Sequence, residues 1–542
     1  MKRTIGISRI VLFALMVATM AYGQDVFERA SQSGVVVGHA LDKVHRWLHE
    51  VALSKIDPET GLYKADGNWN YQDTAADCYP FFIWAAYVVD REVLNGPARS
   101  VLYREITLCN TVDRIPVPWD FEKGAPATDT EWDEMVFQAS EYVKDGVIAI
   151  VEVTGPDEWF DRMRAIEDDL WATARYDTPS GKIPSTNVEV NGEQLQALAR
   201  LYTMTGEENY LDWADRLADY YFDDANFVVT RLRDHGCEII GGLGLLHAVE
   251  STHRPDRAKH YEPKLKHLFD TILARGCNED GMMYDTLRES PTGLKGVVGA
   301  AVGALTGKKE DRLSDGWGYN YVGYLCYDMA TGANTYRAQV ERVLKNTAKP
   351  LYQDYPWEGE SIDGFADSIE GALYLLNRVP VPEGFAWVDR ETKNNLVDHP
   401  SRLENGDLWG TMKLQANGVR TVLIHSLMHT QGVIARPWLQ GLQLGAAPDG
   451  AGLVISLRSR EAYRGVLEFD LPRHRVYMGF ARDWPRMNTL PEWFTVEPDS
   501  LYTVCRGDEP PRHYTGRQLH AGLEVSLSAG DTLRISVAPV AR

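Results

Sequence analysis

The stretch 187–222, NVEVNGEQLQALARLYTMTGEENYLDWADRLADYYF, constrains the fold more than any other part of the chain. Leu195, Leu198, Ala199 and Tyr202 recur at i, i+3, i+4 and i+7, one apolar stripe on a helix. Thr205-Gly206 ends that helix, because glycine takes the left-handed cap that a Cβ resists. Glu207 and Glu208 open the next, where the helix dipole favours negative charge, and Tyr210, Trp213, Ala214, Leu217 and Tyr221 carry its stripe. Each helix of this αα-hairpin has one apolar face, so the hairpin must stack on others to bury it.

The same pattern recurs along the chain. Val35 to Leu53 is amphipathic, and Ala75 to Val89 is apolar on nearly all sides. Trp132 to Glu152 pairs with Asp157 to Ala174, Cys237 to Val249 with Ala258 to Ala274, and Tyr319 to Met329 with Tyr336 to Asn346. With Ala98 to Leu108 and Ile369 to Leu376, the period predicts roughly a dozen helices. First members of the pairs are richer in Gly and Ala and second members more charged, as when an outer ring of helices wraps an inner one. After Pro382 the texture changes to short β-rich runs at Thr421–His425, Leu453–Leu457, Gly465–Phe469, Glu524–Leu527 and Thr532–Val537. The expected organisation is a signal peptide over 1–23, a mostly α ring of helical hairpins over 24–382 and a C-terminal antiparallel β-sandwich over 383–542.

The leader reading rests on Lys2, Arg3 and Arg9, the apolar run from Ile10 to Ala21, and the small-x-small site Ala21-Tyr22-Gly23. It predicts a secreted or periplasmic protein, and no membrane-spanning segment is expected. The formal charge is −21, from 56 basic and 77 acidic residues, and loss of the three leader cations takes it to −24. Such a surface argues against nucleic acid and anionic membranes as partners. Six scattered cysteines without a CxxC are expected to be buried free thiols.

Chemistry concentrates in the loops before the apolar helices, each carrying acids, aromatics and glycine. These are Trp69 to Asp73 with Asp77, then Asn187, Glu189 and Glu193, and Asp234 to Glu238. Ser314 to Tyr321 and Asp363 to Glu370 complete the set. If the inner helices run in parallel, the loops converge on one mouth lined with carboxylates, Trp and Tyr. Aromatic faces stack on sugar rings while Asp, Glu and Asn take hydroxyls, and glycoside hydrolysis needs one protonated and one ionised carboxyl. Asp73, Asp315 and Asp363 also fit as helix N-caps. Asp367 and Glu370 lie at i, i+3 inside an otherwise apolar helix, which caps do not explain. His235 and Glu238, one turn apart, fit acid–base machinery, a metal pair or a structural hydrogen bond. His425 and His429 have helical ligand spacing but sit in strand-like sequence, so no metal is expected there. The segments 484–488 and 491–494 read as the edge of a cleft or as sandwich packing.

The unit LARLYTMTGEENYLDWADRLADYY resembles the repeating hairpin of the six-hairpin, (α/α)6-toroid carbohydrate-active enzymes, which include unsaturated glucuronyl hydrolases, N-acylglucosamine epimerases, β-L-arabinofuranosidases and toroid polysaccharide lyases. GFADSIEGALYLL is similar to the closing inner helix of glucuronyl-hydrolase relatives. The resemblance spans roughly Val35 to Pro380 and implies the fold and a sugar substrate. The clustered cysteines of an arabinofuranosidase-like zinc site are missing, and an exported two-domain chain fits the epimerases poorly.

These readings lead to an enzyme acting on a poly- or oligosaccharide, with no cofactor. The first expectation is a hydrolase with Asp73, Asp315, Asp367 and Glu370 as acid and base, and His235 and Glu238 as further candidates. Trp69, Trp317, Tyr319 and Tyr321 would be sugar platforms, and Asp77, Asn187, Glu189 and Asp363 would hold hydroxyls. The second is a lyase acting on a uronate glycan, with His235 and Tyr319 or Tyr321 as base and acid and with Arg or Lys lining the mouth. The third is a glycan-binding protein without catalysis. The oligomeric state is left open.

Overall fold

The computed structural model describes residues 26–224, 229–233, 236–288, 312–398 and 410–540. The expected leader, His235 with Asp234, and the charged run 308–311 lie outside the described residues. The described chain divides into two compact units, a helical one of residues 44–425 with 472–492, and a β-rich one holding the rest.

The helical unit is built from parallel inner helices joined by outer ones. The inner elements are α1 (Tyr79–Val89), α3 (Trp132–Glu141) continued by α4 (Ile148–Thr154), α6 (Val188–Thr205), α8 (Gly236–His253), α10 (Trp317–Thr331) and α12 (Ile362–Arg378). Between them run α2 (Arg99–Cys109), α5 (Glu158–Ala172), α7 (Glu208–Asp219), α9 (Pro255–Gly276) and α11 (Arg337–Asn346). The hairpin α6–α7 forms as its sequence dictates: the Asn187 side chain accepts from Glu189 N at 2.9 Å, and Gly206 at φ 73° ends α6. Leu195, Leu198 and Ala199 are fully buried.

The inner ring is tight because glycine faces glycine. A Cβ on Gly318 would lie 2.4 Å from the carbonyl carbon of Gly371, and one on Gly244 would lie 2.7 Å from the Cα of Gly323. No side chain fits between these backbones, so the Gly and Ala enrichment of the inner helices is a packing requirement.

The helical unit extends past the expected boundary. Pro382 starts a helix rather than ending one: it occupies the first turn of α13 (Pro382–Glu391), where its missing N–H costs nothing. The run Thr421–His425, expected as a strand, lies inside α14 (Met412–Thr430). A short apolar run buried on all sides reads alike as strand or helix, and here the helical period is carried by polar residues. Lys413, Asn417 and Arg420 fall at i, i+4 and i+7. Thr421 donates to the Ala366 carbonyl of α12 at 3.1 Å, and Arg420 lies over the Phe81 ring of α1 at 5.1 Å. α14 thus closes the ring as a seventh inner helix among the described residues.

The segment 472–492 returns from between strands to the centre of this ring. Arg486 pairs with Glu152 of α4 at 2.7 Å, and the Met487 carbonyl accepts from Arg200 of α6 at 2.9 Å. The Pro485 carbonyl faces Cys326 of α10, and Thr489 N faces the Tyr374 hydroxyl of α12. Four inner helices therefore grip one irregular plug.

The β-rich unit carries two antiparallel sheets. Strands β1 (Ile434–Arg436), β4 (Tyr463–Glu468) and β7 (Leu523–Leu527) form one, ordered β7-β4-β1. The other is ordered β6-β5-β8-β3-β2, from β2 (Leu442–Asp449), β3 (Gly452–Ser459), β5 (Leu501–Arg506), β6 (Arg512–Thr515) and β8 (Thr532–Pro539). The other four expected β runs lie in or overlap β3, β4, β7 and β8, and β7 alternates buried and exposed along its length. All six cysteines are free.

Candidate active site

The N-terminal ends of α1, α8, α10, α12 and α14 and the junction of α3 with α4 face one polar pocket of about 100 Å³, room for several waters. It is lined by seven carboxyl groups (Asp77, Glu141, Asp145, Glu238, Asp363, Asp367 and Glu370) and three cations (Lys144, Lys413 and Arg420). Three of these residues depend on two π-helical turns. Thr74–Cys78 leads into α1 and Tyr142–Val147 joins α3 to α4, and these wider turns bring Asp77, Lys144 and Asp145 to the pocket.

Each cation is shared by two carboxyls. Lys144 Nζ lies 2.6 Å from both Asp145 and Glu238, and Gln196 also donates to Glu238 at 2.6 Å. Lys413 Nζ spans Asp73 at 3.1 Å and Asp77 at 2.9 Å. Arg420 pairs with Asp367 and, at 2.6 Å, with Glu370. Glu370 also accepts from the Tyr319 and Tyr374 hydroxyls, each at 2.6 Å. Asn417 donates to Asp363, and Asn488 of the plug donates to Asp145 at 3.0 Å.

These surroundings drive the carboxyls apart. Burial alone would raise Asp145, but Lys144 and donors including Asn488 outweigh it and hold the group ionised, down at about 2. Burial raises Asp77, reinforced by the charge of Asp145 and opposed by Lys413. Burial pushes Asp363 well up, with Asp367 and Asp77 adding to it. Glu370 is also raised by burial against the pull of Arg420. Burial would lower Lys144, but Asp145 and Glu238 keep it charged.

No family model matches the chain. No curated protein matches it in sequence. Among solved structures it is similar to the α-1,6-mannanase GH76A of Salegentibacter sp. HEL1_6, at 12% identity over 61% of this chain and 98% of that one, with a TM-score of 0.39. It is similar to a GH127 β-L-arabinofuranosidase from Geobacillus stearothermophilus T6, at 12% identity over 93% of this chain and 76% of that one, TM-score 0.36. A third is a cellobiose 2-epimerase from Bacillus thermoamylovorans B4167, at 11% identity over 71% and 97% of the two chains, TM-score 0.35. All three act on sugars by their names, and likenesses this weak speak to no chemistry here.

Of the residues singled out from sequence, Asp77, Glu238, Tyr319, Asp363, Asp367 and Glu370 line the pocket, and Asp73 reaches it through Lys413. Asp363 is not a cap, since Ser361 caps α12. Asp315 is buried and accepts from Gly316 N at 2.9 Å, a turn contact rather than an open carboxylate. Asn187 is the α6 cap. Glu189 stands beside Glu141 and Glu193.

Trp69, Trp317 and Tyr321 are corrected from sugar platforms to core. All three are fully buried: Trp317 donates to Ser368 at 2.8 Å, Tyr321 donates to the Gly281 carbonyl at 2.7 Å, and Trp69 packs edge-on against Tyr71 and Tyr79. Their large apolar faces are consumed in packing the loops they lie in, a use that residue type alone does not separate from sugar stacking.

Glu141, Lys144, Asp145, Lys413, Asn417, Arg420, Met487 and Asn488 were not anticipated. Lys144-Asp145 interrupts an apolar helical run just as Asp367 and Glu370 do, and the 413/417/420 spacing marks a polar helix face. Met487 and Asn488 arrive from the plug and carry no such mark. Among the described residues no helix is long and apolar enough to cross a membrane.

Proposed function

We propose that the pocket is the active site of an exported glycoside hydrolase acting on a poly- or oligosaccharide. The observation that carries this reading is a pair of carboxyls on neighbouring π-turns, Asp145 held ionised and Asp77 pushed toward its protonated form, in one polar pocket. Environments that drive two carboxyls apart assign an acid and a base. Asp77 gives its proton to the departing glycosidic oxygen. Asp145 supports the developing positive charge at the anomeric carbon and either attacks it or draws a proton from the attacking water. Lys144 and Asn488 keep Asp145 charged and aimed, and Lys413 steadies Asp77. Glu238, Asp363, Asp367, Glu370 and Asn417 are suited to sugar hydroxyls. Support for a sugar comes from this polar lining and from the hairpin resemblance, and support for export from the leader-like start of the sequence.

The charge balance favours a neutral sugar. Seven carboxyls face three cations, and each cation is already shared by two carboxyls, so a uronate carboxylate finds no unengaged partner among the described residues. The lyase reading keeps one observation in its favour, the presence of Lys413 and Arg420 at the mouth. The Tyr319 hydroxyl donates to Glu370 and Asp367, and burial pushes it well above its ordinary value, so it stays protonated, as the acid of that reading requires, while His235, its base, lies outside the described residues.

The test is a digest of neutral and uronate-containing polysaccharides by the wild type and Asp145→Asn, read by new reducing ends and by ultraviolet absorbance of unsaturated uronate. Reducing ends without absorbance, lost in the variant, are expected. Absorbance with cleavage moves the assignment to elimination. Full activity in the variant removes Asp145 from the mechanism.

A further inference from the structure

Beside the acid–base pair lies a second carboxylate group that the hydrolysis scheme does not use. Glu141 of α3 and Glu189 and Glu193 of α6 each offer an oxygen within 4.8 Å of the other two. Glu189 and Glu193 are one turn apart on one face of α6, and Glu141 meets them from the neighbouring hairpin. Glu193 is fully buried, and neither of its carboxylate oxygens has a hydrogen-bond partner within the protein. Leaving such a group unanswered costs several kcal/mol. Burial and the charges of Glu189, Asp145 and Glu238 push its carboxyl well above its ordinary value, so the group as it stands is short of positive charge. Nearby stand Asp145 and Glu238, while the cation facing the group among the described residues is Lys144, already shared by those two.

We propose that Glu141, Glu189 and Glu193 hold a divalent cation of the calcium type. The donors are all carboxylate oxygens, the set a hard cation selects, and a separation up to 4.8 Å spans two oxygens on opposite sides of one calcium ion at about 2.4 Å each. Histidine and cysteine are absent from the three, which disfavours zinc. Glu189 is only partly buried and provides the way in from solvent, while the two buried carboxyls form the floor. The cation offsets the negative excess and ties α3 to α6 next to Asp145, whose carboxylate shares a hydrogen bond with Glu141. This departs from the sequence expectation of no metal, because one ligand comes from a different hairpin and no spacing along the chain marks it.

The experiment uses the full chain stripped with EDTA and titrated with calcium chloride at constant ionic strength, followed by calorimetry and thermal melting. One equivalent bound with a rise in Tm is expected. Glu193→Gln should weaken binding at least a hundredfold and Glu189→Gln about tenfold, with circular dichroism unchanged. No heat and no change in melting for the wild type overturns the site. Binding that survives both substitutions undiminished also overturns it, by placing the ion elsewhere. Should Glu193→Gln fail to fold, Glu189→Gln, at the partly exposed position, decides the question alone.

Discussion

The two ends of the inner ring use the same residue types to opposite effect. At the plug end, Glu152 is fully buried and both of its oxygens are bonded, by Arg200 at 2.9 Å and by Arg486 at 2.7 and 2.9 Å, with Thr489 adding a further contact. Those partners overcome burial and hold it down at about 2. At the mouth, carboxyls outnumber cations, and burial raises Asp77, Asp363 and Glu370. A saturated network fixes a structure, whereas an undersupplied one keeps protonation states open for use. The difference is one of partner count, not of burial, since both ends are buried.

Removing a partner should therefore hurt one end far more than the other. Glu152→Ala leaves two buried guanidinium groups without their shared carboxylate and is expected to cost about 3–5 kcal/mol in urea unfolding. Asp363→Asn at the mouth should change stability by less than about 1 kcal/mol. Equal losses would erase the contrast. Next in size, Asp145→Asn should lower kcat by roughly 10²–10⁴-fold while leaving the urea midpoint nearly in place. Gly318→Ala presses a methyl into the Gly371 backbone and is expected to cost about 1–3 kcal/mol, measurable as a lowered Tm.

The pH response should differ in sign. Glu152 is depressed in the folded state, so its contribution, roughly 3 kcal/mol, is complete above the ordinary carboxylate range and fades as pH falls toward 2. Glu167, buried on α5 and bonded by Gln194 at 2.9 Å, is pushed up to about 8. Its contribution is complete at acid pH and fades as pH rises through that value. Unfolding curves from pH 2 to 10 should show both limbs. Glu167→Gln should reduce the limb that falls between the ordinary carboxylate range and about pH 8 and leave the acid limb in place.

The hairpins were legible because an outer helix shows a stripe of period 3.6 and several turns carry a glycine, as at Thr205-Gly206 and Thr331-Gly332. The closing helix was not, since Thr421–His425 is buried on every side and its polar period lies before it at Lys413, Asn417 and Arg420. Asp367 and Glu370 stood out as acids within an apolar helix. Trp69 and Trp317 misled because aromatic surface serves a core as readily as a sugar. Asn488 was out of reach of any local pattern, since its place follows from where a distant segment is threaded.

That threading carries a consequence for how the chain is made. The plug is synthesised after β1 to β4, although it belongs to the helical unit. A ribosome that has released every inner helix has still not supplied Arg486 or Asn488, so Glu152 and Arg200 must wait, charged, inside an open ring. The order of synthesis thus delays the pocket until the plug has emerged, and a chain cut after α14 is expected to emerge as a ring without a floor.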